Sequence, residues 1–159
     1  MTIETGQSVP DATFMTMGED GPAPMSASEL FGGKRVVLFA VPGAFTPTCS
    51  AKHLPGFKEH RADFAAKGVD TVACTSVNDV FVMDAWGKDQ AADDVVMLAD
   101  GNGEFAKALG LEMDGSGFGM GTRSQRYAMV VNDGTVEQLF VEGPGEFKVS
   151  SAEHVLEQL

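Results

Sequence analysis

The residues Val36-Val37-Leu38-Phe39-Ala40-Val41 run directly into Pro42-Gly43-Ala44-Phe45-Thr46-Pro47-Thr48-Cys49-Ser50. The first six are apolar without alternation, the pattern of a central strand covered on both faces. Two prolines stiffen the loop that follows, and a cysteine ends it at what reads as the first turn of a helix. A thiol in that place meets unpaired backbone N–H groups and the positive end of the helix dipole, which favour thiolate over thiol. Strand, loop and helix start is also where open α/β folds place functional groups. Cys49 is therefore the first candidate for chemistry.

Before this stretch, Ala12–Met17 alternates and reads as an edge strand or hairpin, followed by a loop around Gly18, Gly21, Pro22 and Pro24. Ser26-Ala27-Ser28-Glu29 fits a capping box that opens a short helix, which Gly32-Gly33 ends. After it, residues 50–67 have helical spacing at Leu54, Phe57, Arg61 and Phe64, with Pro55 expected to kink or divide the helix. Val69–Cys74 reads as a second strand, and Asn78 as the N-cap of a helix over 79–88. Val95–Leu98 is a third strand and 104–109 a short helix. Five glycines then mark residues 110–125 as a loop. Strands over 126–131 and 136–141 flank Asn132-Asp133-Gly134, a strong hairpin signal, and a capping box at Ser150–Glu153 opens the last helix. Strands alternating with helices and closing on a hairpin imply one domain over 1–159. Its expected architecture is a thioredoxin-like three-layer α/β sandwich with a mixed central sheet and helices on both faces.

The chain has 159 residues and a net charge of −12, which argues against a nucleic-acid footprint and against binding anionic membrane surfaces. No window is long or apolar enough to span a bilayer, and Met1-Thr2-Ile3-Glu4 lacks the basic and apolar regions of a secretory signal, so a cytoplasmic location is expected. Two cysteines, Cys49 and Cys74, are too few for a disulfide scaffold or a cysteine-pair zinc site, and no C-x-x-C is present.

Several chemistries of a nucleophilic cysteine can be set aside. A phosphatase loop needs an arginine just past the cysteine, and residues 50–56 contain none. A cysteine protease needs a general-base histidine. His53 and His60 share the helix of Cys49, and all three histidines, His154 included, read as surface residues. Peroxide reduction fits better, since a thiolate that attacks an O–O bond leaves a sulfenic acid and expels water or an alcohol. That reaction needs a hydroxyl to hold the peroxide and a permanent cation beside the sulfur. Thr46, three residues before Cys49, supplies the first. The second comes from Arg35, Arg61, Arg123 or Arg126, with Arg126 at a strand start placed to reach a pocket.

The spacing Pro42-x-x-x-Thr46-x-x-Cys49 resembles the active-site signature of peroxiredoxins, and the whole loop from Val41 to Ser50 resembles the type II, peroxiredoxin-5-like group, plant and bacterial members in particular. The likeness continues through Pro55-Gly56-Phe57, through Cys74 to Trp86, through Ala99–Gly103 and through Arg123–Tyr127. It implies that Cys49 is the peroxidatic cysteine, that Thr46 positions the peroxide, that Pro42 shields the sulfur and that Arg126 is the strand-borne arginine. It also implies a thiol-dependent peroxidase acting on hydrogen peroxide and alkyl hydroperoxides. Glutaredoxin, glutathione or thioredoxin would recycle it, with no metal or organic cofactor, and the chain would commonly form a homodimer.

Cys74 is the candidate resolving cysteine, because plant-like members have a cysteine there and residues 143–159 contain none. A Cys49–Cys74 bond would need α-carbons within about 7 Å, so reduction by an external thiol is the favoured reading. The different-class alternative is a redox-sensing or chaperone-like binding protein. Gly101-x-Gly103-x-x-Ala106 imitates a dinucleotide fingerprint, but it follows the third strand and lacks the acidic partner that such a fold requires.

Overall fold

The computed structural model describes residues 2–159. Its seven-stranded mixed sheet is built from β1 (Thr13–Gly18), β2 (Gly21–Ser26), β3 (Arg35–Ala40), β4 (Thr71–Ser76), β5 (Val96–Ala99), β8 (Tyr127–Asn132) and β9 (Thr135–Val141), in the order β2-β1-β5-β4-β3-β8-β9. Strands β3, β4 and β5 are parallel, while β8 runs antiparallel to β3 and β1 to β5. The site strand β3 lies between β4 and β8, and both of its faces are buried, Val37 and Phe39 in one cluster and Val36 and Leu38 in another, which accounts for its unbroken apolar run.

Side chains alternate across this sheet and divide the core in two. Val37, Phe39, Val72, Cys74, Ala128 and Val130 face one cluster, while Val36, Leu38, Ala73, Tyr127, Met129 and Val131 face the other. The first cluster is covered by α2 (Leu54–Glu59), α3 (Arg61–Ala66), α4 (Val80–Asp89) and α6 (Ala152–Glu157). The second is covered by α1 (Ala27–Phe31) and α5 (Glu104–Leu109). The expected sandwich, with a mixed sheet and helices on both faces, is therefore present. No helix among the described residues is long and apolar enough to cross a membrane.

The structure corrects the sequence reading at several places. The Pro22–Pro24 segment is not a loop but the edge strand β2, paired to β1 alone, where a residue without an N–H is tolerated. As expected from Pro55, the helix after Cys49 is divided, into a π-turn over Cys49–His53, α2 and α3. In the π-turn Leu54 N–H donates to the Cys49 carbonyl, and Pro55 has no N–H with which to continue the ordinary i→i−4 ladder. The N-cap of α4 is Asp79, whose carboxylate accepts from Val82 N–H, and not Asn78. The N-cap of α6 is Ser151, accepting from His154 N–H, so no Ser150–Glu153 box forms.

Residues 110–125 also hold structure of their own: β6 (Glu112–Asp114) pairs with β7 (Thr122–Ser124) across a 3-10 turn at Ser116–Phe118. The hairpin between β8 and β9 turns at Asp133 and Gly134, with φ of 47° and 82°, as a two-residue primed turn requires.

Candidate active site

Cys49 is the first residue of the π-turn and is fully buried. Its loop is held at several points. Ala44 N–H donates to Asn78 Oδ1 at 2.9 Å, and Ser76 Oγ donates to the same oxygen at 2.6 Å. Ser50 N–H donates to the Thr46 carbonyl at 2.9 Å, and Trp86 Nε1 donates to Ser50 Oγ at 3.0 Å. A Cβ at Gly43 would stand 3.1–3.2 Å from side-chain atoms of Thr46, Met120 and Arg123, so these would have to shift by a few tenths of an ångström to admit any larger residue. Phe45 sits at φ 64°, a left-handed conformation that costs a bulky residue energy and that the surrounding bonds must sustain.

Of the four arginine candidates, Arg126 reaches the sulfur. It precedes β8, and its Nη2 donates to Cys49 Sγ at 3.1 Å. Arg123 instead donates from Nε to the Met120 carbonyl and from Nη1 to the Pro42 carbonyl, at 2.9 and 3.4 Å. Arg35 pairs with Glu137 at 3.3 Å. Arg61 donates to the carbonyls of Asp94 and Asp70. Reach from a strand start decides among them.

Thr46 donates its hydroxyl to the Gly43 carbonyl at 2.7 Å, which fixes its rotamer within the loop. Pro42, Thr48 and Arg126 line a cavity of about 370 Å³ whose far wall is Glu112 and the turn that begins at Glu142. Cys74 lies on β4 beside Phe39 of β3, inside the same buried cluster as Cys49. Burial pushes its thiol well above the ordinary range, the neighbouring Cys49 adds to this, and Arg126 opposes it. Both cysteines are free.

His53 is the principal residue that the sequence reading misplaced. It is not on the surface but fully buried, its ring tilted against those of Phe39 and Phe57 at centroid distances of 4.9 and 5.6 Å. Its Nδ1 lies 2.9 Å from Arg126 Nη1 and its Nε2 lies 2.9 Å from the Ser150 carbonyl. Burial, and then the Arg126 charge, lower its pKa from the ordinary 6.5 to about 3, against the opposing Ser150 bond. Glu142, also missed, accepts from the N–H groups of Lys148, Val149 and Ser150 and from Ser150 Oγ, at 2.7 to 2.9 Å. The spacing of Cys49 and His53, one helical turn apart, was the available signal for the histidine. Nothing local marks Glu142. The dinucleotide-like glycines are accounted for by Asp100, whose carboxylate accepts from Phe105 and Ala106 N–H and so occupies that helix start itself.

A buried cysteine at a helix start, held by a guanidinium inside a thioredoxin-like sandwich, defines a class of thiol-dependent redox protein. The family model Redoxin matches residues 4–156. The chloroplastic peroxiredoxin-2E-2 of Oryza sativa subsp. japonica is 49% identical over 99% of this chain and 73% of its own length. Peroxiredoxin-2B of Arabidopsis thaliana is 48% identical over 99% of this chain and 98% of its own. The crystal structure of reduced Prx3 from Vibrio vulnificus in complex with H2O2 superposes with a TM-score of 0.96 at 54% identity, covering 99% of both chains. The chain belongs to the type II peroxiredoxins, with plant and bacterial relatives, and is a thiol peroxidase.

Proposed function

We propose that Cys49 is the peroxidatic residue and that the chain reduces hydrogen peroxide and alkyl hydroperoxides through a sulfenic acid. The thiolate attacks the terminal oxygen of the hydroperoxide, an S–O bond forms as the O–O bond breaks, and the departing oxygen takes up a proton to leave as water or an alcohol. One external thiol then condenses with the sulfenic acid to a mixed disulfide and releases water. A second thiol displaces Cys49 and restores it. The observation that carries this reading is the Arg126–Cys49 bond at 3.1 Å, because a fixed guanidinium can hold the thiolate and meet the charge that develops on the leaving oxygen. Thr46 positions the peroxide and Pro42 shields the sulfur from water.

The reductant in this reading is glutathione, glutaredoxin or thioredoxin, with Cys74 unused. Cys49 and Cys74 are equally buried, but the thiol of Cys74 is raised well above its ordinary range while Cys49 has the Arg126 guanidinium at 3.1 Å, which supports that choice, since exchange proceeds through a thiolate. We further propose a homodimer packed around the active-site side. Phe45, Phe81 and Phe118 are 52%, 63% and 86% exposed. Phe45 follows Ala44, which is bonded to Asn78 just before the helix that carries Phe81, and Gly43 lies against Met120, close in sequence to Phe118. Exposed apolar side chains on segments that neighbour the Cys49 loop offer surface that a second copy would cover.

Stopped-flow mixing of the reduced protein with hydrogen peroxide tests the central claim. Rapid, stoichiometric consumption is expected, and a rate like that of free cysteine would favour the redox-sensor alternative for Cys49.

A further inference from the structure

We propose that His53 is a positioning residue of the peroxidase site, aiming the Arg126 guanidinium at Cys49 Sγ and tying that aim to the turn between Glu142 and Ser150. This rests on the reading of Cys49 and Arg126 given above and adds to it a residue that touches neither sulfur nor peroxide.

The geometry permits one state of the imidazole. The Ser150 carbonyl can only accept, so Nε2 carries the hydrogen of the 2.9 Å bond. Arg126 can only donate, so Nδ1 offers its lone pair across the other 2.9 Å. The neutral Nε2–H tautomer satisfies both partners, whereas a proton on Nδ1 would confront the guanidinium N–H. The imidazole is thus a bare acceptor directed at Nη1, and Nη2 of the same planar fork points at the sulfur. Turning the guanidinium would break both bonds together, so His53 sets the direction from which charge reaches Sγ.

His53 is held in its turn. Ser150 lies in a segment whose amides Lys148, Val149 and Ser150 all donate to one Glu142 oxygen, with Ser150 Oγ a fourth donor. Phe147 of that segment has its ring 5.1 Å from the imidazole and 5.9 Å from the Arg126 guanidinium carbon. A contiguous set of contacts therefore runs Glu142, Ser150, His53, Arg126, Cys49.

The test is a double-mutant cycle on the second-order rate of reaction with hydrogen peroxide. In the otherwise native protein His53→Leu removes the acceptor and should slow the reaction by on the order of tenfold. His53→Asn, whose Oδ1 falls near the Nδ1 position, should recover most of that loss. In the Arg126→Ala background His53→Leu should change the rate by less than about twofold, because the group through which it acts is gone. A packing role alone would slow both backgrounds equally and would show no rescue by Asn. Either result overturns the proposal, as does an unchanged rate in the single variant. If His53→Leu does not fold, the comparison of His53→Asn with His53→Gln replaces it, since Gln carries its amide toward the Nε2 position, and equal rates in those two variants overturn the proposal. A native protein that reacts no faster than free cysteine would instead remove the peroxidase reading on which it rests.

Discussion

Arg126 and Cys49 are 77 positions apart in the chain, yet the guanidinium donates to the sulfur at 3.1 Å. The contact exists because β8 pairs antiparallel with β3, with Tyr127 opposite Ala40, so the start of one strand lies beside the loop that leaves the other. Removing either partner should show how the site divides its labour. Cys49→Ser should abolish peroxide turnover. Arg126→Ala should keep the nucleophile but slow its reaction with peroxide by about 10²–10³, the cost of one preorganised donor. Stopped-flow rates measure both, and an unchanged rate in the arginine variant would show that another residue supplies the charge.

The buried imidazole predicts sensitivity to mild acid. His53 in the unfolded chain takes up a proton below its ordinary 6.5, whereas the folded chain resists until about 3. The stability it contributes is therefore complete above 6.5 and is lost as the pH falls toward 3, at about 1.4 kcal/mol per unit. Urea unfolding at pH 7 and pH 5 should differ by roughly 2 kcal/mol from this group. His53→Asn should flatten that difference. An equally steep fall in the variant would assign the acid sensitivity elsewhere, though not to Glu142, whose carboxyl is held below its ordinary 4.5 and so loses its contribution only below this pH window. For Glu142 burial alone would raise it, but the bonds from Ser150, Lys148 and Val149 bring it down.

Cys74 offers a prediction about recycling. After one equivalent of peroxide, mass spectrometry of the intact protein should find Cys49 as a sulfenic acid, or as a mixed disulfide when glutathione is present. Cys74→Ala should keep turnover with an external thiol within about twofold. An intramolecular disulfide in most molecules would reverse this and make Cys74 the resolver.

Asn78 anchors the Cys49 loop by accepting from the Ala44 N–H, and its Oδ1 also accepts from Ser76 Oγ. Asn78→Ala leaves both without their acceptor and should destabilise the protein by about 1–3 kcal/mol. Because Ala44 lies in the loop that carries Thr46, the peroxide reaction should also slow. Thermal unfolding and stopped-flow rates separate the two effects.

The exposed side chains of Phe45, Phe81 and Phe118 predict self-association. Sedimentation of the reduced protein should give a dimer, and Phe118→Glu should shift it toward monomer without altering the circular dichroism. A native monomer at high concentration would remove the dimer from the reading.

The sequence by itself determined those features whose cause is local. Continuous apolar residues at 36–41, the Ser26–Glu29 capping box and the Asn132-Asp133-Gly134 turn each act through neighbours in the chain, and the structure has a strand, a box and a hairpin there. The loop from Pro42 to Cys49 is read from local signals for the same reason, and with it the candidate nucleophile and the candidate threonine. Boundaries failed where tertiary bonds competed. Asn78 is a good helix cap in isolation, but its side chain is taken by the active-site loop and Asp79 caps instead. The glycine-rich stretch 110–125 became a small paired sheet because β6 and β7 find each other across it.

Only the tertiary structure decided which arginine meets the sulfur and what lies behind it. Composition marks histidine as a surface residue, and nothing within a few residues of His53 offers it two partners. Those come from Arg126 and Ser150, the latter 97 positions away, brought close by strand pairing and by the turn that Glu142 ties. Burial of an imidazole is affordable only when both nitrogens are satisfied, and that condition is met by long-range contacts alone. So the loop was read from the chain as a reactive thiol. The direction from which charge reaches that thiol is a property of the folded sheet.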